Sequence, residues 1–354
     1  MWFGILGLII KAKLNLKQVA QQLGVSTATV SNAFNRPDQL SAQLREKILR
    51  ESAALGYFGP NLAARSLRRG ESGVIAVMSA DSLSYSFSDP VANQLLQGIS
   101  DVLVDNNKHL LMLSSGANSN EQSSAESLPD GFILYGAMGG NVFKHILRQG
   151  KPVVTVDFES NSNCSVNIDN EQGAYAIAEH ALSREADSQI AVLGLRLIDS
   201  ARVCRLVADD LHSESQEISR ARLSGYMRAA EQMGRGIAAE RIWHIPVNSP
   251  HYAEIAAREA LSSVPRPNVL LCMSDVIALA ALRVASEFNI AVPEQLQITG
   301  FDDIPEASRS TPLLTTVCQQ SIEKGRMAAR MLLQLEPQTK LVLPTRLVIR
   351  DSCK

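Results

Sequence analysis

Small hydroxyl and amide side chains share one side of a predicted helix near the start of the sequence. When residues 27–35 are placed at intervals of roughly 100°, an arc of about 140° holds Thr27, Ala28, Ser31, Asn32 and Asn35. The opposite side holds the apolar residues Val30, Ala33 and Phe34. Hydroxyl and amide groups bond base edges and phosphates, and a slim helix enters the major groove of DNA. The spacing therefore predicts a helix that contacts double-stranded DNA.

Capping residues and a glycine predict how this helix is positioned. Asn15 can cap a helix over residues 16–23, and Gly24 can end that helix in the left-handed conformation. Ser26 can cap the helix that carries the polar face. Two helices joined by so short a turn match the helix-turn-helix pattern.

A third helix is expected to complete the core of this segment. Ser41 can cap it, and the helix is predicted to end near Leu55. Its predicted core residues are Leu44, Ile48 and Leu55. From the second helix, Val30 and Phe34 are expected to pack on Val19, Ala20 and Leu23.

The charge of the sequence is unevenly divided. The 354 residues carry a net charge of −2, but residues 1–70 hold ten Lys and Arg against three acids, which gives +7 there and −9 in the remainder. A basic segment on an acidic body predicts a polyanionic partner for the basic segment alone. The alternative is a solvated charged face without a partner.

Cysteines and histidines give no sign of a metal or redox site. The five cysteines are odd in number, scattered and without C-x-x-C spacing, which fits a reducing cytoplasm. The six histidines lack metal-ligand spacing, and no nucleotide-binding, hydrolase or metalloprotease motif occurs in the sequence. We therefore expect no metal, no cofactor and no catalytic residue, which means that the protein is not an enzyme.

Residues 1–13 precede the first predicted helix. Residues 2–10 are non-polar and too few to span a bilayer. They are similar to the apolar part of a signal peptide, but no positive segment precedes them and no cleavage site follows. We interpret residues 1–13 as an upstream extension of the reading frame or a disordered tail, without membrane association.

The segment after the third helix, "GYFGPNLAARSLRRGES" over residues 56–72, has few apolar side chains. A helix over 61–69 would be marginal by itself in water, and the segment could equally be an ordinary linker between domains. The stretches "LKQVAQQLGVSTATVSNAFN", "LSAQLREKI", "LGYFGPN" and "ARSL" resemble the DNA-binding head and hinge of the LacI/GalR repressor family. One departure is "GYFGPN", which is one residue longer than the usual family motif.

This resemblance implies a helix-turn-helix domain over residues 14–60 and a hinge over 61–72. In the family the hinge folds on operator DNA and wedges an apolar side chain into the minor groove, and Leu67 holds that position here. The DNA contacts that the polar face and the resemblance together predict are Asn15, Ser26, Thr27, Ala28, Ser31, Asn32, Asn35, Ser41, Tyr57, Asn61, Ala64, Arg65 and Leu67.

After residue 72, strand-like and helix-like segments alternate. This order predicts an α/β fold with doubly wound parallel sheets that are covered by helices. The predicted strands are 74–78, 109–113, 131–135, 152–157, 189–195, 269–273 and 296–300. The predicted helices are 91–105, 171–182, 220–233, 252–262, 276–288 and 321–335.

The resemblance continues through this part of the chain. The stretches "RARLSGYMRAA", "NVLLCMSDVIALAAL", "VPEQLQITGFDDIPEA", "TPLLTTV" and "LPTRLVIRDSC" are similar to successive landmarks of the LacI/GalR core. The resemblance implies two lobes like those of periplasmic sugar-binding proteins, with an effector-binding and dimerisation core over residues 73–354. We assign the N-lobe to 73–170 and 301–320, and the C-lobe to 171–300 and 321–354.

Four polar residues are candidates for binding an effector in the cleft. By resemblance, Arg222 and Asp275 hold positions that bind ligand polar groups, while Asp157 and Asp169 lie in segments that face the cleft. A guanidinium and carboxylates suit a hydroxyl-rich, sugar-like molecule. Asp275 and Asp169 could instead cap helices. Departures from the family, such as the short polar span 114–129, leave the identity of the effector open.

These features favour one of three functions. The first is a cytoplasmic homodimer that represses transcription, binds a palindromic operator and is switched by a small-molecule effector. The second is a periplasmic solute-binding protein with residues 2–10 in its signal, and the third is an enzyme on a doubly wound fold. The basic head and hinge favour the first function, because a solute-binding protein has no use for them. The lack of catalytic motifs counts against the third.

Overall fold

The computed structural model describes residues 14–59, 71–114, 128–159, 164–183, 189–212 and 218–354. The chain forms two compact units, Met1–Gly73 and Val74–Lys354. The predicted extension over 1–13, the last residue of the predicted helix-turn-helix domain and residues 61–70 of the predicted hinge lie outside the described residues.

Helices with side-chain caps build the described part of the first unit. They are α1 (Leu16–Leu23), α2 (Thr27–Asn35) and α3 (Ala42–Ala54). Asn15, Ser26 and Ser41 each accept a hydrogen bond from the backbone N–H three residues ahead, at 3.0, 3.0 and 3.4 Å. Gly24 ends α1 with φ of 66°, a conformation that favours glycine. The predicted positions of these three helices and their caps are confirmed.

The core of the first unit differs from the prediction on α3. Its buried apolar residues are Val19, Ala20, Val30, Ala33, Ile48 and Tyr57. The inner side of α3 runs through Arg45, Ile48 and Ser52, because the Arg45 Nε donates to the Ala33 carbonyl and the other two are buried. Leu44 and Leu55 were predicted in this core, but they lie at the margins of the inner side and are exposed.

The N-lobe of the second unit contains a six-stranded parallel sheet. Its strands are β1 (Val74–Ser79), β2 (His109–Ser114), β3 (Gly131–Tyr135), β4 (Val153–Val156), β5 (Cys164–Ile168) and β12 (Lys340–Leu343). They follow the order β12-β5-β4-β3-β1-β2. All four residues of β4 and the first four of β3 are buried, as expected for a parallel sheet that helices cover on both faces.

Two glycines allow helices of the N-lobe to approach closely. The N-lobe helices are α4 (Leu83–Ser88), α5 (Pro90–Asp105), α6 (Gly140–Arg148) and α11 (Ser321–Leu332). A Cβ added at Gly98 of α5 would lie 1.9 Å from the Ile322 carbonyl oxygen, and one at Gly325 of α11 would lie 2.1 Å from the Leu95 carbonyl oxygen. Side chains at these two positions would therefore force α5 and α11 apart.

The C-lobe is built around a second sheet. Its strands are β6 (Ile190–Leu195), β7 (Cys204–Arg205), β8 (Ile242–Ile245), β9 (Val269–Cys272) and β10 (Gln297–Thr299), in the order β10-β9-β6-β8-β7. Only the short edge strand β7 is antiparallel among these described pairings. The helices are α7 (Asn170–Leu182), α8 (Ile218–Gln232), α9 (Pro250–Leu261) and α10 (Asp275–Glu287). α7 packs on α8, and α9 packs on α10.

Residues 321–343 return to the N-lobe, which corrects this part of our assignment of 321–354 to the C-lobe. β12 pairs in parallel with β5, and α11 packs on α5 and on β3, β4 and β5. Ala328, Met331 and Leu332 supply buried apolar surface in this contact. Residues 321–343 thus belong to the N-lobe because their apolar side is buried there.

The segment before α11 also departs from the predicted lobe assignment. Residues 301–320 were placed in the N-lobe, yet Gly300 N–H donates to the Thr315 carbonyl at 2.9 Å beside β10 of the C-lobe. The chain end joins the same edge, because Ile298 N–H donates to the Ser352 carbonyl at 2.9 Å. β11 (Thr316–Cys318) then pairs with β13 (Arg346–Val348) in a separate antiparallel ribbon.

Candidate nucleic-acid interface and ligand cleft

The outer side of α2 is arranged as the periodicity predicts. Thr27 and Ala28 are exposed, while Ser31, Asn32 and Asn35 are half-buried. Val30 and Ala33 are fully buried on the other side. Asn35 Nδ2 donates to the Ser31 carbonyl at 3.0 Å, which fixes its amide along the helix. α2 therefore presents short polar side chains outward on a firmly packed base, an arrangement that suits contact with a DNA groove.

Other predicted DNA contacts also hold the fold of the first unit. The side chains of Asn15, Ser26 and Ser41 cap α1, α2 and α3, so each marks a helix N-terminus, where phosphate groups bind favourably. Tyr57 is buried, and its ring meets Phe34 edge to face with centroids 5.6 Å apart. The predicted contacts Asn61, Ala64, Arg65 and Leu67 lie outside the described residues.

Asp157, a predicted ligand residue, is held by a lysine that the sequence reading missed. It directly follows β4 with φ of 62°. Lys324 of α11 is fully buried and donates to both Asp157 carboxylate oxygens at 2.8 Å. The third Lys324 hydrogen bond goes to Gln319 Oε1, also at 2.8 Å. This carboxylate is thus already neutralised by an internal cation.

Arg222, the predicted guanidinium of the cleft, is also buried and paired. Its Nη1 lies 3.4 Å from Asp302 Oδ1, and the same nitrogen donates to the Met273 carbonyl. Its Nε donates to Asn170 Oδ1 at 3.0 Å. The guanidinium carbon stands 3.7 Å from the centroid of the Phe301 ring, a cation–π distance. These contacts fix the plane of the guanidinium.

A chain of buried polar contacts joins these two sites. Gln319 Nε2 donates to Asp302 Oδ1 at 2.6 Å, and Gln319 Oε1 accepts from Lys324. We call Asp157, Lys324, Gln319, Asp302 and Arg222 the buried relay. It leads from the end of β4 in the N-lobe to α8 in the C-lobe. Burial raises the pKa of Asp302 well above its usual range, although the Arg222 guanidinium opposes this.

Asp275 lies behind the surface of the cleft. It is fully buried, with one oxygen accepting from the Thr316 hydroxyl and the other from Ile304 N–H at 2.9 Å. Burial raises its pKa to about 7. The helix cap of α10 is Ser274, which accepts from Ile277 N–H at 3.2 Å, so the alternative that Asp275 caps this helix is wrong.

Asp169 acts as a helix cap in the structure. Its Oδ1 accepts from Gln172 N–H at 2.8 Å at the start of α7, and its side chain is exposed. Of the two interpretations that the sequence left open for Asp169, capping is therefore observed. Ligand contact by Asp157, Asp169, Arg222 and Asp275 stays a prediction.

Two tyrosines and an aspartate stand on the N-lobe side of the cleft. Burial raises the pKa of Tyr85 on α4 and of Tyr135 at the end of β3 above the usual tyrosine range. Asp89 caps α5 by accepting from Ala92 N–H at 3.2 Å, and burial raises its pKa as well. In the C-lobe, Asn248 Oδ1 accepts from the Ser274 hydroxyl at 2.7 Å.

Sequence reasoning missed most of these groups for identifiable reasons. Asp302 lies in the quoted stretch "VPEQLQITGFDDIPEA", where a pair of acidic residues follows the predicted strand 296–300. This pair at the end of a strand was a sequence signal that could have identified Asp302 as a site residue. Lys324 looked like an ordinary cation of an amphipathic helix. Tyr85 and Asn248 lie in segments without strand or helix periodicity of their own.

Comparison with known proteins identifies the family. Residues 15–61 match the bacterial regulatory proteins of the lacI family, and residues 193–353 match a periplasmic binding protein-like domain. An HTH-type transcriptional regulator of Mycobacterium tuberculosis is 34% identical over 354 residues, with 96% of each chain covered. The chain belongs to the LacI family. It is a transcriptional regulator with a helix-turn-helix DNA-binding domain, and the recognised resemblance is confirmed.

One further relative and two solved structures match most of this chain. The ribose operon repressor of Haemophilus influenzae is 26% identical, covering 95% of this chain and 98% of that protein. The lac repressor dimer bound to operator and the anti-inducer ONPF has a TM-score of 0.71 at 21% identity, covering 96% of this chain and 99% of that chain. A LacI-family regulator of Enterococcus faecium with bound ribose has a TM-score of 0.62 at 24% identity, covering 79% and 98%.

These likenesses confirm the predicted fold class. The chain combines an all-α helix-turn-helix head with a two-lobed α/β core like that of periplasmic binding proteins. Members of the LacI family are regulators of transcription, so membership favours the first of the three functions considered above. Within the described residues, no helix has both the length and the apolar character that crossing a membrane requires.

Proposed function

We propose that this LacI-family regulator acts in the cytoplasm as a homodimeric repressor of a palindromic operator and has no catalytic activity. The observation that carries the proposal is the outer side of α2, where Thr27, Ala28, Ser31 and Asn32 stand outward over a buried apolar base. The excess of seven positive charges over residues 1–70 supports the same partner. Of the predicted contacts, these four side chains are the ones proposed to reach base edges.

Selection of DNA fragments by the purified full-length protein tests this proposal. We expect a palindromic site whose affinity falls with salt, by a slope of about 0.9 in log–log form for each neutralised phosphate. Asn32→Ala should weaken binding to the selected site, whereas Lys340→Ala, on an exposed strand of the core, should not. Selection of no common site, or equal binding by the parent and the Asn32 variant, would contradict the role of α2.

We also propose that residues 61–69 form the second part of the interface. Asn61, Ala64 and Arg65 would contact the DNA, and Leu67 would wedge between base steps of the minor groove. Support comes from the motif "ARSL" and from the short, mostly polar sequence, which lacks an apolar side for a core of its own. Amide exchange of this segment should slow when the selected operator is added, and equal protection with and without operator would contradict the proposal.

For the cleft, we propose an uncharged, hydroxyl-rich effector of the sugar class. Three cations at the cleft already have carboxylate partners, in the pairs Arg222–Asp302, Lys324–Asp157 and Arg196–Asp81. An anionic ligand would therefore meet cations that are already paired, and Asp89 would add a further carboxyl group on the N-lobe side. Hydroxyl groups, in contrast, both donate to carboxylates and accept from guanidinium and amide groups.

Thermal unfolding of the full chain with matched ligands tests the effector class. Ribose, cellobiose and nucleosides should be compared with their phosphorylated forms, and we expect a neutral member to raise the melting temperature. Arg222→Ala should reduce that increase, while Arg326→Ala, a surface change on α11, should leave it intact. A larger increase with a phosphorylated member than with its neutral parent would contradict the proposed class.

The dimer proposal rests on apolar surface of the N-lobe. Phe87 of α4 is 61% exposed, and Val104 and Leu110 are exposed on α5 and β2. α4 lies next to β2, so these residues belong to one side of the lobe, where apolar exposure often marks an interface. Phe87→Glu should shift sedimentation toward a monomer, whereas Val264→Glu at an exposed turn of the C-lobe should not. An unchanged dimer in the Phe87 variant would exclude this surface.

A further inference from the structure

An ion pair joins the two lobes across the cleft. Asp81 follows β1 of the N-lobe by two residues, and Arg196 directly follows β6 of the C-lobe. The Arg196 Nη2 donates to Asp81 Oδ1 at 2.8 Å. Both residues stand at the carboxyl ends of parallel strands, where doubly wound folds bind ligands. The pair therefore lies at the ligand cleft itself.

The Arg196 end of this pair is fixed to the C-lobe. Arg196 has φ of 50°, and its N–H donates to the Ile245 carbonyl at 2.8 Å. The next two backbone N–H groups, of Leu197 and Ile198, donate to His244 Nδ1 at 3.1 and 3.3 Å. Burial lowers the pKa of His244, which keeps its imidazole neutral and able to accept at this nitrogen. The loop that carries Arg196 thus has little freedom to follow a moving N-lobe.

The Asp81 end is fixed to the N-lobe in the same way. Asp81 N–H donates to Ser79 Oγ at 3.2 Å, at the end of β1. The Ala80 N–H donates to the Tyr135 carbonyl at 2.9 Å, at the end of the neighbouring β3. Any separation of the lobes must therefore break the ion pair, because neither backbone segment can follow the other lobe without losing these hydrogen bonds.

Tyr85 provides a second contact across the same gap. The Arg196 guanidinium carbon lies 5.7 Å from the centroid of the Tyr85 ring, within cation–π range. Arg196 belongs to the C-lobe, whereas Tyr85 belongs to α4 of the N-lobe. The contact of Tyr85 with Arg196 therefore resists the same motion as the ion pair.

We infer that Arg196 and Asp81, supported by Tyr85, form a latch that holds the two lobes in this arrangement and sets the free energy of opening the cleft. The latch residues are positioning residues: they act on a ligand by fixing the lobes that surround it. The inference rests on the proposed ligand cleft, but its test needs no ligand. Failure of the latch and failure of the proposed effector class are therefore distinguishable.

The chemistry of the latch bounds the size of its effect. Its side chains are 43% and 33% exposed, so water and salt screen their attraction. Exposed ion pairs of this kind change an equilibrium by about two- to fivefold. Removing the latch should therefore increase the open population by that factor without unfolding either lobe.

The experiment compares amide exchange in the full-length parent, Arg196→Ala, Asp81→Ala and the charge swap Arg196→Asp with Asp81→Arg. The matched control is Arg326→Ala, which breaks the Arg326–Asp101 pair of the same 2.8 Å length and with side chains 44% and 43% exposed, but within the N-lobe. The amides to follow are those of α4 and of residues 196–200. Each protein is measured at low and at high salt.

We expect both single variants to accelerate exchange at these amides by about two- to fivefold, and the charge swap to restore slower exchange. High salt should accelerate the parent and leave the single variants unchanged, because they no longer have the pair. The Arg326 variant should match the parent at the cleft. Exchange in the single variants equal to that of the parent would overturn the latch, as would a charge swap that behaves like the single variants.

Discussion

Replacing Lys324 by methionine tests whether the buried relay is an electrostatic unit. Lys324 is fully buried, and the Asp157 side chain is nearly so, which leaves the carboxylate little water when its cation is removed. Removing one partner of a buried ion pair lowers the unfolding free energy by about 3–5 kcal/mol. For a unit of this size, that cost lowers the melting temperature by an amount on the order of 10 °C. We expect Lys324→Met to be strongly destabilised at neutral pH.

The second substitution Asp157→Asn in the same chain should recover most of this loss. This second substitution removes the uncompensated charge of the carboxylate. The remaining loss of unfolding free energy, about 1–3 kcal/mol, arises because Gln319 Oε1 no longer accepts a hydrogen bond from Lys324. Thermal and denaturant unfolding of both variants measure the difference. The control is Lys340→Met, which removes a long exposed pair with Glu159 at 3.6 Å and should cost about 0–1 kcal/mol.

Either of two results would contradict an electrostatic role for the buried relay. One is a Lys324→Met cost no larger than that of Lys340→Met. The other is a double variant as unstable as Lys324→Met alone, since that would trace the loss to packing of the lysine stem and not to the isolated carboxylate.

Four further changes have defined outcomes. The pKa of Asp275 is about 7 in the folded state and lower in the unfolded state, so the folded state binds the extra proton. The unfolding free energy of the parent should therefore fall as pH rises from about 4 to 7, by up to about 1.4 kcal/mol per pH unit. Asp275→Asn should flatten that slope when unfolding is measured across this pH range. Asn32→Ala should cost about 1–3 kcal/mol at one base position in a binding assay with base-substituted operators, and a uniform loss at all positions would point to a phosphate contact. Gly325→Ala should destabilise by about 1–3 kcal/mol because α5 and α11 must separate. Gly140→Ala, with open space around it at the first position of α6, should be nearly neutral in the same denaturant titration. Leu67→Ala should weaken binding to the operator much more than binding to random DNA, which competition titration measures, and equal losses would argue against a wedge.

The parts of the fold that local signals determine could be predicted from the sequence. The caps Asn15, Ser26 and Ser41 act within three residues, and the predicted helices began where these side chains allowed. Strands such as β3 and β9 were recognisable as continuous apolar runs. β5, "CSVNI", was missed because polar residues interrupt it, and β8 was missed because His244 stands in a short apolar run.

The site depended on long-range pairing that no local pattern carries. Lys324 and Asp157 are 167 residues apart in the chain and meet only because α11 returns to the N-lobe. The sequence favoured the opposite lobe for α11, so the partner of Asp157 could not be found from it. For Asp275, two neighbouring residues were both able to cap α10, and the structure assigns the cap to Ser274 and buries Asp275.

The return of residues 321–343 to the N-lobe has a consequence for the order in which the chain can assemble during synthesis. The strands of the C-lobe sheet come from residues 190–299, so that sheet can form while the ribosome is still adding α11 and β12. The N-lobe sheet begins with β1 at residue 74 but lacks its outer strand and a covering helix until residue 343 has emerged. The lobe whose first strand is translated first therefore obtains its outer strand and this covering helix only after all strands of the C-lobe sheet have been translated, and part of its apolar sheet stays uncovered until then.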